Sequence, residues 1–261
     1  MKKLLIKLHW FMSDQIGFDP RRSFRAIRGI PRFAGNWFRF RRGYAGSLTL
    51  MPCLHDWQEE GGATKNEYFW QDLLVARWIF EAKPTKHVDV GSRVDGFVAH
   101  VASYREIEVF DVRPITTYVP NIEFKQADLM SADRLPIAEG GYCDSLSCLH
   151  ALEHFGLGRY GDPIDPVGHE RGIANMALML QPGGTLYLST PIGRDRVEFN
   201  ANRIFDPRKI VNLAEGNGMA LSRLTVIAQG GAVLEVQLTD AALKSLAEKT
   251  YNLGVFVFTK K

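Results

Sequence analysis

The sequence predicts a doubly wound, mostly parallel α/β sheet, preceded by a basic helical extension at the amino terminus. Three observations predict it. Short apolar runs such as HVDV (His87–Val90), IEVFDV (Ile107–Val112) and TLYLST (Thr185–Thr190) have the length and continuity of strands buried on both faces. Helical segments alternate with them, as the crossovers of parallel strands require. Aspartate, glycine and histidine close these runs, and in an open α/β sheet the carboxyl ends of the strands form the ligand-binding edge.

The extension is set apart by charge. Residues 1–43 hold eleven Lys/Arg against two Asp, a net +9, while the other 218 residues hold 21 basic and 27 acidic groups, a net −6. The chain's overall +3 therefore hides a strongly basic arm on a mildly acidic body. Leu4, Leu5, Ile6, Leu8, Trp10, Phe11, Phe24, Trp37 and Phe38 are interleaved with those charges. The mixture suits an anionic membrane surface; a basic helix packed on the body with its charges solvated has the same composition. Gly17, Pro20, Gly29, Pro31 and Gly35 predict that the arm breaks into short helical pieces. The run Leu4–Met12 is far shorter than the roughly 20 apolar residues of a membrane span and lacks the pattern of a secretory signal. Cys53, Cys143 and Cys148 show neither full pairing nor metal-ligand spacing. With 46% hydrophobic and 23% charged residues, the expectation is a cytoplasmic globular protein, peripheral to the inner face of a membrane. The expected division is residues 1–60 for the extension and 61–261 for the α/β domain.

Within the body, residues from Tyr44 to Gly62 read as irregular. Thr64 with Glu67 three positions later predicts a capping box for the helix NEYFWQDLLVARWIFEAK, which Pro84 stops. Strands follow at HVDV, IEVFDV, IEFKQADL (Ile122–Leu129) and DSLSCL (Asp144–Leu149). A helix around Ile173–Leu180 and the turn Pro182-Gly183-Gly184 lead into TLYLST. A helix near Pro207–Glu215, the strands LSRLTVIA and VLEVQL, a helix near Asp240–Lys249 and the strand LGVFVFT complete the chain.

The strand ends supply the site. The first runs through Asp89 into Gly91, Ser92, Arg93, Val94, Asp95 and Gly96, a turn that lets backbone approach a ligand. Asp111 closes the second strand 22 positions after Asp89, the spacing of an acid that accepts from ribose hydroxyls. Asp128 closes the third and is placed to meet an adenine amino group. No G-x-G-x-x-G is present, so no glycine nest awaits a pyrophosphate. A ligand with adenine and ribose but no phosphates fits better, and S-adenosylmethionine is the common one. Arg93 pairs either with that ligand's carboxylate or with Asp95.

The stretch DSLSCLHALEHFGLGRYGDPIDP (Asp144–Pro166) carries the chemistry. His150 ends the fourth strand, where a neutral imidazole suits a general base near pH 7. On a helix, His150, Glu153 and His154 would share one face; two imidazoles and a carboxylate can hold a divalent cation, or Glu153 can pair locally. The loop Gly156–Pro166, with Arg159, Tyr160 and Asp162, suits a hydroxylated or anionic acceptor such as a sugar or nucleotide sugar, or else forms a rigid Ω-type loop whose charges pair with each other. Asn200, Asn202 and Arg203 are expected across the same pocket. Tyr68 and Gln71 either cover the cofactor or belong to the core.

The segments HVDVGS, VFDV, QADLM, DSLSCLHALEH and LMLQPGGTLYLSTP together resemble the successive motifs of class I S-adenosylmethionine-dependent methyltransferases. More narrowly, YFWQDLLVARWI, HVDVGSRVDGFVAH, LHALEHFGLGRYGDP and FNANRIF resemble a related domain-of-unknown-function family associated with lipopolysaccharide or other surface-polysaccharide synthesis. The resemblance implies methyl transfer, a Rossmann-like fold, and a cofactor site that adds Leu129 and Cys148 to the strand-end residues. It also implies similarity to the E-x-x-E-H motif of metal-dependent O-methyltransferases, with His150 in place of the first Glu. Asn202 then stands where a further histidine ligand would be wanted, so no metal is assigned. Arg93 and Asp95 replace glycines that many such enzymes carry in the first loop. The leading expectation is O-methylation of a sugar of a surface polysaccharide or of its nucleotide- or lipid-linked precursor. The alternatives are a nucleic-acid methyltransferase, with the arm as its electrostatic footprint, and a non-catalytic scaffold that keeps the fold.

Overall fold

The computed structural model describes residues 2–133 and 135–261, the side chains of residues 2–4 and 7 excepted. Leu4, one of the expected interfacial side chains, therefore lies outside the described set. The chain divides into two compact units, Met1–Ala63 and Thr64–Lys261.

In the first unit, helix α1 (Lys2–Trp10) runs into a π-helical turn at Phe11–Gln15. Helix α2 (Pro20–Gly43) follows, with Pro20 at its first position and the Asp19 side chain accepting from Arg21 N and Arg22 N. The expected short pieces are replaced by one helix of 24 residues. Pro31 removes a single backbone bond, and the return segment compensates by packing along the helix. Arg22 Nε donates to His55 Nε2 at 3.0 Å, and Arg32 lies 4.6 Å over the Trp57 ring. Gly29 is a close approach and not a break, because a Cβ there would stand 2.0 Å from the Leu54 carbonyl oxygen. Among the described residues no helix is long and apolar enough to cross a membrane.

The second unit is built on an eight-stranded sheet in the order β3-β2-β1-β4-β5-β10-β8-β9. Its strands are β1 (His87–Val90), β2 (Ile107–Asp111), β3 (Ile122–Gln126), β4 (Cys143–Leu149), β5 (Leu180–Ile192), β8 (Met219–Ile227), β9 (Val233–Glu235) and β10 (Asn252–Lys260). Strand β1 pairs in parallel with β2 on one side and β4 on the other, with Val88 opposite both Glu108 and Leu146. Strand order reverses between β1 and β4, which makes that junction the switch point. Strand β10 enters antiparallel between β5 and β8, so it begins where β5 ends. A small ribbon pairs β6 (Arg196–Glu198) with β7 (Asn202–Ile204), the second strand lying within FNANRIF, for which no regular structure was expected.

Alternation along the strands feeds two cores. Leu146, Cys148, Leu186 and Leu188 face α5 (Gly168–Met179) and α6 (Pro207–Gly216) through Ile173, Met176, Ile210 and Ala214. Val109, Leu149, Tyr187 and Val255 face α3 (Glu67–Ala82) through Val75 and Ile79. Helix α4 (Ala99–Ala102) and α7 (Asp240–Ala247) complete the layers. The Thr64–Glu67 capping box does not form. Asn66 caps α3 by accepting from Tyr68 N at 3.0 Å, and Glu67 is thereby turned to another use.

Candidate active site

A cavity of about 650 Å³ opens at the carboxyl ends of β1, β2, β3 and β4. Gly91 forms its floor. Its φ of +70° and the 2.9 Å that would separate an added Cβ from Ala151 Cβ leave no room for a side chain. Gly91→Ala is therefore expected to lower the unfolding free energy by about 1–3 kcal/mol, measurable by urea denaturation.

Asp89 does not line the cavity. It is fully buried and accepts from Ser147 Oγ at 2.5 Å, Ser92 Oγ at 2.6 Å and Ser92 N at 3.0 Å. Burial pushes its carboxyl up to about 7 against the pull of those donors. Its role is to tie the β1 turn to β4, and Ser92 Oγ extends the tie by accepting from Leu149 N at 3.1 Å. Two further expected cofactor residues are also behind the wall. Cys148 is buried, which drives its thiol well above its ordinary range, and Gly96 packs against the Asp72 side chain.

Ser92, Arg93, Asp111, Asp128 and Leu129 do line the cavity. Of the two expected partners for Arg93, Asp95 holds it, through Nε–Oδ1 at 3.1 Å and Nη2–Oδ2 at 2.7 Å. Asp111 accepts from Arg113 N and Nε on Oδ1 and from Arg113 Nη2 on Oδ2 at 2.6 Å. A carboxylate has about four acceptor sites, so Oδ2 of Asp111 retains one. Asp128 Oδ1 takes Met130 N at 2.8 Å, which orients the carboxylate at the mouth of β3.

At the other end lie the histidines. They are not on one helix face: His150 sits at φ +52° and only Leu152–His154 form a 3-10 turn. His150 is clamped between two carboxylates, with Nδ1 donating to Glu153 Oε1 at 2.8 Å and Nε2 3.4 Å from Glu67 Oε1 without hydrogen-bond geometry. Tyr68 stacks on its ring at 4.4 Å. Burial alone would lower this imidazole, but the Glu153 charge and hydrogen bond, helped by Glu67, raise it to about 9. Glu153, buried itself, is kept ionised by His150. His150 is thus an imidazolium at neutral pH, and the expected neutral base is not found at this position.

His154 has the properties His150 lacks. Its Nδ1 lies 2.7 Å from the Ala201 carbonyl oxygen, which can only accept, so Nδ1 carries the hydrogen and Nε2 keeps its lone pair. Arg159 Nη1 approaches that Nδ1 only to 3.5 Å and donates to the same carbonyl at 2.8 Å. Burial first, then Arg159, against an opposing Glu153, holds His154 below its ordinary value. No group of three or more His, Cys, Asp or Glu side chains among the described residues is arranged to hold a metal ion.

The acceptor loop splits into rim and scaffold. Arg159 and Tyr160 line the cavity, and the Tyr160 ring has Arg113 at 4.5 Å and Arg159 at 5.2 Å. Asp162 instead folds the loop, accepting from Gly156 N, Gly158 N and Tyr160 N. Arg203 is a buried strut that donates to the carbonyls of Phe155 at 2.5 Å and Pro166 at 3.2 Å. Asn200 is exposed outside the cavity, whereas Asn202 lines it. Gln71 is buried in a bond with Ser189. Sequence reasoning missed Glu67, Arg113 and Tyr251, all three of which line the cavity. Tyr251 donates to Glu67 Oε1 at 2.6 Å, and burial beside that carboxylate drives its hydroxyl well above the ordinary range.

A family model described as a Caenorhabditis protein of unknown function, DUF268, matches residues 140–257. No curated protein matches the chain. Three solved structures are similar in fold. The 1,6-didemethyltoxoflavin-N1-methyltransferase of Burkholderia thailandensis, solved with S-adenosylhomocysteine, is 12% identical over 94% of this chain and 91% of that one, with a TM-score of 0.52. The N-methyltransferase NodS of Bradyrhizobium japonicum WM9 is 15% identical over 77% and 98%, with a TM-score of 0.50. The [4+2]-cyclase SpnF is 14% identical over 72% and 80%, with a TM-score of 0.51. The second unit has the Rossmann-like fold of the class I S-adenosylmethionine-dependent methyltransferases.

Proposed function

We propose that the chain is an S-adenosylmethionine-dependent methyltransferase acting on a hydroxyl of an anionic small molecule. The fold alone does not decide this, since one of its neighbours is a cyclase and a fold hosts several chemistries. What carries the reading is the content of a single cavity. Asp111 and Asp128 stand at the end that strand order makes the nucleoside side, and His154 lines the other, its unprotonated Nε2 3.9 Å from Glu153 Oε1. The cofactor fits the residues present: the Gly91 floor admits close approach, and both aspartates keep acceptor capacity for ribose and for an adenine amino group. About 650 Å³ lies within the usual range of small-ligand sites.

When bound, the cofactor supplies a methyl group on a sulfonium, already activated toward an in-line nucleophile. The chain's part is to place that nucleophile and manage its proton. His154 Nε2 would accept the proton of the acceptor hydroxyl, while the bound cofactor's sulfonium would supply the methyl group and the leaving sulfur. His150, held by Glu153 and stacked on the Tyr68 ring, keeps its Nε2 buried 3.4 Å from Glu67 Oε1 and contributes a fixed positive charge beside the acceptor. Arg113 and Arg159 flank Tyr160 at the rim with donors to spare for a phosphate or carboxylate. A nucleotide sugar has this chemistry, and its link to surface-glycan synthesis rests on the sequence resemblance alone.

Incubation with methyl-labelled S-adenosylmethionine and two acceptor series, sugar phosphates and primary amines, tests the reading. Label is expected in the hydroxyl series. Transfer confined to the amines would overturn the assignment of the acceptor.

A further inference from the structure

We propose that helix α2 is an interfacial anchor that lays the chain on an anionic phospholipid bilayer. The observation is the arrangement of side chains around this helix. At about 100° per residue, Phe24, Ile27, Pro31 and Phe38 fall within about 60° of one another. Arg21, Arg25, Arg28, Arg32 and Arg39 occupy about the next 60°. Gly29, Phe33 and Trp37 lie on the far side, toward the return segment that passes Gly29 at Leu54. The far side is closed at Gly29, which is buried against Leu54, although Ile30 and Phe40 on that side are themselves exposed.

The face of Phe24, Ile27 and Phe38 is apolar in a way a soluble surface has no use for. Phe24 is 60% exposed, Ile27 65% and Phe38 64%, and Leu5, Ile6 and Leu8 of α1 are exposed as well. A contiguous apolar stripe of this kind marks an interaction surface. Charge selects the partner. No acidic residue occurs between Pro20 and Gly43, and residues 1–43 carry +9. One arginine of the stripe, Arg25, faces Glu59 at 3.4 Å, and Arg28 lies 5.8 Å over the Phe24 ring. An arginine row beside an aromatic–aliphatic row matches a bilayer interface, where phosphates lie just above acyl chains. A nucleic-acid groove would satisfy the arginines and leave Phe24, Ile27 and Phe38 in water. An apolar protein groove would satisfy the rings and leave the charges without partners. With no helix among the described residues able to span a bilayer, the contact is with its surface.

The test is co-sedimentation of the full chain with vesicles of phosphatidylcholine alone and of phosphatidylcholine with phosphatidylglycerol. The chain is expected to bind the anionic vesicles at least roughly tenfold more tightly, with affinity falling as salt rises. Replacing Ile27→Ser and Phe38→Ser is expected to weaken binding by roughly tenfold, as is replacing Arg21→Gln with Arg28→Gln. Helical circular dichroism and the unfolding midpoint should remain those of the wild type. Single replacement Phe24→Ser serves if the double variant misfolds. Equal binding to both vesicle types, binding to neither, or binding unchanged by loss of the apolar pair would overturn the proposal. Preference for duplex RNA over anionic vesicles would assign the face to nucleic acid instead.

Discussion

His154→Gln is expected to lower kcat by about 10²–10⁴-fold while leaving S-adenosylhomocysteine affinity within a few-fold of wild type. Gln is close in length to His, and its amide hydrogens can still reach the Ala201 carbonyl that His154 Nδ1 holds at 2.7 Å. What it lacks is a basic lone pair. The pH profile supplies the second readout. Because His154 is held below its ordinary value, kcat/KM should rise on the acid side below about 6.5 and level off at neutral pH. In the variant that acid limb should vanish with the residual rate. A normal rate in His154→Gln would return the proton to some other group.

Glu153→Ala carries the largest expected cost in stability. Glu153 is 1% exposed and its charge is matched by His150 at 2.8 Å. Removing one partner of such a pair costs about 3–5 kcal/mol, since the other is left buried without compensation. Proton linkage gives the effect a direction. In the wild type the folded-state value for His150 is raised to about 9, above its unfolded value. Its contribution to stability is fully present below about 6.5. It is lost as pH rises through 9. Without Glu153, burial should pull the imidazole below its unfolded value and the folded state should lose stability on acidification. The difference in unfolding free energy between wild type and variant should therefore be larger at about pH 6 than at about pH 9. Urea denaturation at the two values reads it directly. A pH-independent difference would show that His150 is not the titrating partner.

Much of this fold is legible in the chain. HVDV, IEVFDV and DSLSCL are strands because continuous apolar runs of that length have few other stable uses, whereas their order in the sheet is a finding of the structure. What is not legible lies where tertiary contacts reassign a residue. Glu67 has the spacing of a capping-box acid behind Thr64, but Asn66 takes the cap and frees Glu67 for the cavity. Pro31 and Gly29 read as breaks, yet a segment some two dozen residues further on packs against α2 and holds it continuous. Tyr251 reaches Glu67 across 184 positions. The antiparallel insertion of β10 makes that possible, since it starts this strand where its neighbour β5 ends.

The candidate site shows the same division. Residue types at strand ends marked Gly91, Asp111 and Asp128, because the chemistry of those positions is local. Asp89 and Arg203 carry charge and were expected in the pocket, but buried polar groups must find partners. Theirs are Ser92 and Ser147 for one and four backbone carbonyls for the other. Protonation was the least legible property. Two histidines four residues apart look alike in sequence, and only the carboxylates clamping His150 and the burial of His154 beside Arg159 shift the two imidazoles in opposite directions.

The central claim is that the cavity at the β1/β4 switch point holds the methyl donor. Calorimetric titration of the full chain with S-adenosylhomocysteine tests it most directly. A saturable heat with one site per chain is predicted, weakened at least roughly tenfold by Asp111→Ala, the loss of about 1.4 kcal/mol that a charged acceptor's hydrogen bond to ribose typically supplies. Absence of heat at high ligand concentration, or the same affinity in Asp111→Ala as in the wild type, would contradict it.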